Sequence, residues 1–244
     1  MTDIEKQIVE EIIAIRRLRP RYGYRRLTAE LRATGWKVNH KRIARICREH
    51  GLKILPIRRK RRYLGSADGG IVRLEAERPN HVWAVDFVHD RTADGSMLKI
   101  LVVVDEYTRE CLALKAARSI RASDVRDVLR GLCIERGMPE HVRSDNGPEF
   151  IADVLRRWIA SWGGQSSFIE PGAPWQNGYV ESFNSRLDDE LLAGELIPSL
   201  TEARWLLARY RQDYNHGRRH SSLGYLTPAE FARALDGAAL TFAA

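Results

Sequence analysis

Apolar residues recur every three to four positions early in the chain and fall into short unbroken or alternating runs from about residue 79 onward. Ile4, Ile8, Ile12 and Ile15 keep helical spacing and predict a first amphipathic helix. Tyr22-Gly23-Tyr24 breaks that pattern, and a second helix then carries Leu27 and Leu31 before ending near Gly35. Asn39 is placed to cap a third helix that turns Ile43, Ile46 and Cys47 inward and closes at Gly51. Two short helices about a glycine-containing turn give a helix-turn-helix outline. Beyond Pro79, residues 82–88, 99–104 and 110–115 read as strands. Ser123 is expected to cap a helix with Val125, Val128, Leu129 and Leu132 on one side. Residues 140–145 form a fourth strand. Pro148 then opens a helix whose stripe is Ile151, Val154, Leu155, Trp158 and Ile159, stopping at Gly163-Gly164. Residues 165–169 are a fifth strand, followed by a loop and a helix bearing Glu181. In the tail, Ala203, Leu206, Leu207 and Tyr210 mark one helix, and the capping box of Thr227, Pro228 and Glu230 starts another.

Composition narrows the class without deciding it. The chain's 244 residues suffice for a sizeable core and a small second domain, and a hydrophobic share of 44% is ordinary for a globular protein. Lys+Arg 40 against Asp+Glu 32 gives +8, which favours a polyanionic partner. Cys47, Cys111 and Cys133 are scattered, without a C-x-x-C pair, and read as reduced thiols of a cytosolic protein. No His/Cys spacing suggests a structural zinc site. The start, Met1-Thr2-Asp3-Ile4-Glu5, lacks the basic-then-apolar order of a signal peptide, and no apolar run reaches the roughly 18 residues of a membrane span.

Three acids carry the candidate chemistry. Asp86 lies within the apolar run Val82-Trp83-Ala84-Val85-Asp86-Phe87-Val88. Asp145 follows Val142-Arg143-Ser144 and precedes Asn146-Gly147, and Glu181 opens the helical stretch Val180-Glu181-Ser182-Phe183-Asn184. Clustered carboxylates resist ionising together unless a cation joins them. Their hard oxygens suit Mg²⁺ or Mn²⁺, and two such ions activate both attacking and leaving oxygens in phosphoryl transfer. Taken singly, Asp86 is a satisfied polar residue and Asp145 a turn former. On the third helix, Lys41, Arg45 and Arg48 point outward, either as a solvated basic face or as a surface for phosphates and guanine edges. The five cations Arg58, Arg59, Lys60, Arg61 and Arg62, followed by Gly65-Ser66-Ala67-Asp68-Gly69-Gly70, read as a linker that either tracks a DNA backbone or stays solvated.

Trp83-Ala84-Val85-Asp86-Phe87, Ser144-Asp145-Asn146-Gly147-Pro148-Glu149-Phe150 and Gln176-Asn177-Gly178-Tyr179-Val180-Glu181-Ser182-Phe183-Asn184 together resemble the Asp-Asp-35-Glu core of retroviral-integrase-type transposases, and 35 residues do separate Asp145 from Glu181. The chain is similar over nearly its whole length to the downstream-frame product (OrfB) of bacterial insertion-sequence family three. The tail residues Tyr214, Asn215, Arg219, His220, Leu223, Gly224, Thr227 and Pro228 share that register.

The resemblance implies a ribonuclease-H-like mixed five-stranded α/β sheet with flanking helices, preceded by a small all-α domain. The domains expected are a helix-turn-helix DNA-binding domain at 1–54, a basic linker at 55–78, a catalytic core at 79–198 and a helical tail packed on the core at 199–244. It implies Asp86, Asp145 and Glu181 as catalytic and metal-binding residues holding two Mg²⁺ or Mn²⁺ ions. Gln176 and Asn177 either contact DNA near the cleavage point or serve helix initiation. Asp105 and Glu149 are read as a strand-end turn former and a first-turn helix acid. The activity implied is strand cleavage and strand transfer at the ends of a mobile element. Such an enzyme works on DNA in the bacterial cytoplasm, at the nucleoid, as a homo-oligomer, with the upstream-frame product (OrfA) as a further partner and no membrane. One position departs from the family. Seven residues after the glutamate, where a Lys or Arg is common, this chain has Asp188, and Arg186 falls on a different helical face. That departure keeps a second reading open, a catalytically inactive DNA-binding remnant of a transposase. A ribonuclease acting on hybrids shares the fold class but does not suit the helix-turn-helix.

Overall fold

Residues 3–52, 54, 74–145, 147–168 and 177–242 are described by the computed structural model. The five cations from Arg58 to Arg62, and Gln176, lie outside the described residues.

The N-terminal unit contains α1 (Asp3–Leu18), α2 (Tyr24–Ala33) and α3 (His40–Glu49). Its core joins Ile8 and Ile12 of α1, Leu27 and Leu31 of α2, and Ile43, Ile46 and Cys47 of α3, with Tyr22 and Val38 between them. Ile4, expected on the same stripe, is 56% exposed, so α1 buries only its middle turns. Asn39 caps α3 as predicted, its Oδ1 accepting the Arg42 N–H at 2.8 Å, an interaction of about 1 kcal/mol. Gly51 follows in the left-handed conformation at φ 66°. Arg219–Leu226, late in the sequence, groups with these helices rather than with the rest of the tail. Within this unit the Arg219 N–H donates to Tyr22 Oη at 3.2 Å and its guanidinium pairs with Glu30.

The second unit is built on a five-stranded sheet in the order β3-β2-β1-β4-β5. β1 (Val82–Arg91), β2 (Met97–Asp105) and β3 (Cys111–Ala117) form an antiparallel meander, and β4 (His141–Ser144) and β5 (Gln165–Phe168) add on parallel to β1. β1 is therefore central, and Val82 through Val85 are fully buried, as expected of a strand covered on both faces. Trp83 and Val85 belong to one core with Val103, Val142, Leu129 and Ile159, beneath α4 (Ala122–Arg136) and α6 (Asp153–Ser161). Ala84 belongs to the other core with Val102, Phe183, Leu187 and Leu207, beneath α7 (Gly178–Glu190, in the numbering that counts the short α5, Pro148–Ile151) and α8 (Leu200–Gly217). Because strand side chains alternate, Asp86 shares the face of Ala84 and looks toward α7. α9 (Pro228–Phe242) starts on the predicted capping box, with Thr227 N–H donating to Glu230 Oε2 at 2.8 Å and Glu230 N–H to Thr227 Oγ1 at 3.2 Å.

Three local expectations are corrected. The helix begins at Ala122 with Arg121 at the N-cap position, so Ser123 lies inside the first turn, and the Asp124 carboxylate accepts the Arg121 N–H at 2.8 Å. The single helix expected from Pro148 is broken at Ala152, whose ψ of 132° is extended, and Val154 is 43% exposed instead of lying on the buried stripe. The first three strands run to different limits than predicted, because β1 stays paired with β2 as far as Arg91 with Met97. The open edge of β3 is covered by α8. Asn215 both accepts from the Cys111 N–H and donates to its carbonyl, Arg211 donates to Leu112 O at 2.7 Å and Arg204 to Ala116 O at 3.1 Å. Satisfied edge groups of this kind prevent pairing with another sheet.

Candidate active site

Strand register brings the two aspartates together. Val82, Trp83 and Ala84 pair with His141, Val142 and Arg143, and the same register continued by two residues sets Asp86 level with Asp145. Asp145 directly follows β4, where its Oδ1 accepts the Gly147 N–H at 3.0 Å. A Cβ on Gly147 would lie 3.0 Å from that same oxygen, so a larger residue there would oblige the Asp145 carboxylate to shift by a few tenths of an ångström. Glu181 stands in the first turn of α7, on the sheet face that Asp86 points to.

Asp86 lies close enough to Asp145 and Glu181 to feel the charge of both. Asp86 is pushed up to about 6, first by burial, with the negative charges of Asp145 and Glu181 adding to the rise. Hydrogen bonds to its ionised form oppose that: the Phe87 N–H donates to Oδ1 at 2.8 Å and Asn184 Nδ2 to Oδ2 at 2.8 Å. Asp145 and Glu181 are exposed. Their oxygens and those of Asp86 do not form a group lying wholly within 4.8 Å; among the described residues that spacing is met by His81, Glu140 and His141. Asn184 is the residue that sequence reading missed. It sits one turn after Glu181 and therefore on the same helical face, and its Oδ1 is buried without a partner. Asp86, Asp145 and Glu181 offer only hard carboxylate oxygens, a donor chemistry that fits a divalent Mg²⁺-type cation.

The neighbouring acids have other partners. Asp105 accepts the N–H groups of Asn80, Tyr107 and Thr108, the turn-forming role predicted for it. Glu149 lies in the first turn of α5, as expected of a first-turn helix acid, and also pairs with Lys99. Lys99 also lies 4.0 Å over the Phe87 ring, which stacks on Phe150 at 4.9 Å. The far end of α7 is fixed by Glu190, which takes a charge-assisted pair from the buried Arg218 and a hydrogen bond from Tyr210. Asp188 is exposed. Arg186 faces the other way, close enough to Tyr214 for its charge to be felt there. Asn177 is 3% exposed, its Oδ1 unpartnered, so its side chain is not presented on the surface. On α3, Lys41, Arg45 and Arg48 are exposed, and Arg45 pairs with Glu5 at 3.5 Å and Glu49 at 3.7 Å.

Comparison with known proteins gives this site its context. Residues 76–174 and 163–228 match two models described as integrase core domain, and residues 3–61 match an HTH-like domain. The chain is 39% identical over 237 residues to the uncharacterized 31.7 kDa protein of insertion element IS407 from Burkholderia multivorans, covering 94% of this chain and 82% of that protein. It is 30% identical over 230 residues to transposase InsF of insertion sequence IS3A from Escherichia coli K12, covering 90% and 80%. The chain belongs to this family of insertion-sequence transposases. In fold it is similar to the intasome of simian T-cell lymphotropic virus, solved with the PP2A regulatory subunit B56γ, at TM-score 0.58 and 17% identity over 91% of this chain and 74% of that one. It is also similar to the HTLV-2 integrase catalytic core domain solved with magnesium in a trimeric form, at TM-score 0.51 and 18% identity over 63% and 97%. These likenesses support the ribonuclease-H-like assignment of the family's core. No helix among the described residues is long and apolar enough to cross a membrane.

Proposed function

We propose that this transposase performs metal-dependent DNA strand cleavage and strand transfer at the ends of its own insertion sequence, with Asp86, Asp145 and Glu181 as catalytic carboxylates. The observation that carries this reading is the β1–β4 register, which runs Asp86 level with Asp145, together with the 2.8 Å hydrogen bond to Asp86 from Asn184, one helical turn after Glu181. Asp86 is the rigid ligand, since the Phe87 N–H and Asn184 hold its two oxygens separately. Asp145 and Glu181 complete the set from either side. A pair of Mg²⁺ or Mn²⁺ ions bound there supplies Lewis-acid activation of the attacking water or 3′-hydroxyl and stabilises the leaving 3′-oxygen. Magnesium in the HTLV-2 core supports that choice of metal. No side-chain nucleophile is required.

In the same reading DNA is held by Lys41, Arg45 and Arg48 on α3, by the cations Arg58, Arg59, Lys60, Arg61 and Arg62, and by Gln176. Asn177, being buried, serves the start of α7 instead. Synapsis of two element ends calls for at least a dimer, and closed symmetry is the common solution. The upstream-frame product is a further partner, and the site of action is the bacterial nucleoid. Asp188 favours a second reading, a binding remnant, because an acid two turns beyond Glu181 repels phosphate where the family commonly has a cation. The deciding experiment measures nicking and joining of labelled DNA carrying the element's own end, with Mg²⁺ or Mn²⁺, for the wild type and Asp145→Asn. Metal-dependent cleavage lost in the variant, with binding retained, is expected. Binding without cleavage by either protein, with the upstream-frame product supplied, would leave the remnant.

A further inference from the structure

At the start of β1 and β4, away from the end of β4 that carries Asp145, two histidines and a glutamate face one another. His81 precedes β1 and His141 opens β4, and the His141 N–H donates to His81 O at 2.9 Å. The four residue steps from His141 to Asp145 span about 13 Å at about 3.3 Å per residue. His141 Nε2 lies 3.4 Å from Glu140 Oε1, and His81 Nε2 lies 3.9 Å from Glu140 Oε2. The two rings meet edge to face with centroids 5.4 Å apart. One ligand atom from each of the three residues lies within 4.8 Å of the other two. Both histidines are buried, at 6% and 9% exposure, while Glu140 opens onto a cleft of about 280 Å³ lined by Arg78, Asn80, Met138 and Trp162.

We propose that His81, Glu140 and His141 bind one transition-metal cation of the zinc class, at a site separate from the carboxylate triad. Two imidazole nitrogens and one carboxylate oxygen are a known donor set for three-ligand zinc sites, which leave a fourth position for water; the cleft beside Glu140 supplies that access. Tetrahedral ligands at 2.0–2.1 Å stand roughly 3.3 Å from one another, so donors that all lie within 4.8 Å need to close by at most about 1.5 Å. Such borderline nitrogen donors favour zinc over the magnesium suited to the oxygen-only triad.

Two existing hydrogen bonds bear on this. The Glu77 N–H donates to His81 Nδ1 at 3.1 Å, which leaves the ring proton on Nε2. Metal binding moves that proton to Nδ1 and releases the Glu77 N–H. Glu77 is exposed, so water can take up the freed N–H. Arg78 donates to Glu140 Oε2, leaving Oε1 toward His141, the kind of outer partner that orients a ligating carboxylate. A cation here would pin together the starts of the two strands that carry Asp86, in the middle of β1, and Asp145, just past β4. It would act as a brace.

The test uses the full chain carrying Asp86→Asn, Asp145→Asn and Glu181→Gln, so that the triad contributes no metal binding and the outcome is independent of the catalytic reading. Equilibrium dialysis with Zn²⁺ is expected to give one tightly held ion per chain, with Tm rising as zinc is added, and Co²⁺ is expected to give the visible bands of a low-coordinate nitrogen-containing site. Adding Glu140→Gln, at a half-exposed position, or His141→Asn should weaken zinc binding at least tenfold and abolish the cobalt bands. Zinc uptake unchanged by Glu140→Gln, or no uptake in the parent, overturns the proposal.

Discussion

Replacing Asp86 with asparagine should abolish cleavage and yet make the metal-free protein more stable. Burial, with the neighbouring negative charges, pushes Asp86 up to about 6 from the ordinary 3.8, which corresponds to roughly 3 kcal/mol at about 1.4 kcal/mol per tenfold change in proton affinity. The folded protein holds this proton more tightly than the unfolded chain does. Below about pH 4 both states are protonated and the site costs nothing. As pH rises from 4 to 6 the unfolded chain ionises first, and above 6 the fold carries the full cost of a charge kept among two others. Asparagine carries no such charge at any pH. It keeps an oxygen for the Phe87 N–H, and its Nδ2 can donate to Asn184 Oδ1, now unpartnered, once that amide turns over.

The net gain expected at pH 8 is about 2–3 kcal/mol, or roughly 5–10 °C in Tm for a protein of this size. Thermal unfolding in EDTA, at intervals from pH 4 to 8, measures it. The Tm difference between variant and wild type should vanish near pH 4 and grow through pH 6. Added Mg²⁺ should narrow it, because only the wild type gains a ligand for its full set of carboxylates. A variant less stable than wild type at pH 8, or a difference independent of pH, would refute the reasoning.

Asn184→Ala should lower cleavage about 10–100-fold with little change in fold, as for other groups that orient a metal ligand; an unchanged rate would remove Asn184 from the site. Arg143→Met should destabilise the core by about 3–5 kcal/mol by leaving Glu106 buried and unpaired by its guanidinium, since Arg143 Nη1 reaches both Glu106 oxygens at 2.7 Å with side chains 4% and 0% exposed. Adding Glu106→Leu should recover most of that loss in urea unfolding, and failure to recover would mean the two side chains are not one unit. Asp188→Lys should tighten binding to element ends and steepen the salt dependence of log Kd by roughly one; equal affinity and slope in a titration series would show that this position does not meet phosphate.

What was legible in the sequence was what local periodicity encodes. The apolar run around Asp86 placed it on a buried strand, and the Thr227–Glu230 capping box fixed the start of α9, because each depends on residues a few positions apart. The stripe after Pro148 misled for the same reason: Val154 has the spacing of a buried residue, but the extended backbone at Ala152 rotates the helix that follows. Asn184 was hidden because its partner is 98 residues away, although its position one turn after Glu181 was a usable signal. His81 and His141 are more distant still from any zinc-type spacing, and only the parallel register of β1 with β4 puts them side by side. That single register does two things at once. Three paired residues fix both ends of the ladder, so bringing Asp86 level with Asp145 at one end obliges His81 to meet Glu140 and His141 at the other. A slip of one residue would turn every side chain of β4 to the opposite face and dismantle both clusters together, so whatever holds the histidine end in register also holds the two aspartates in place.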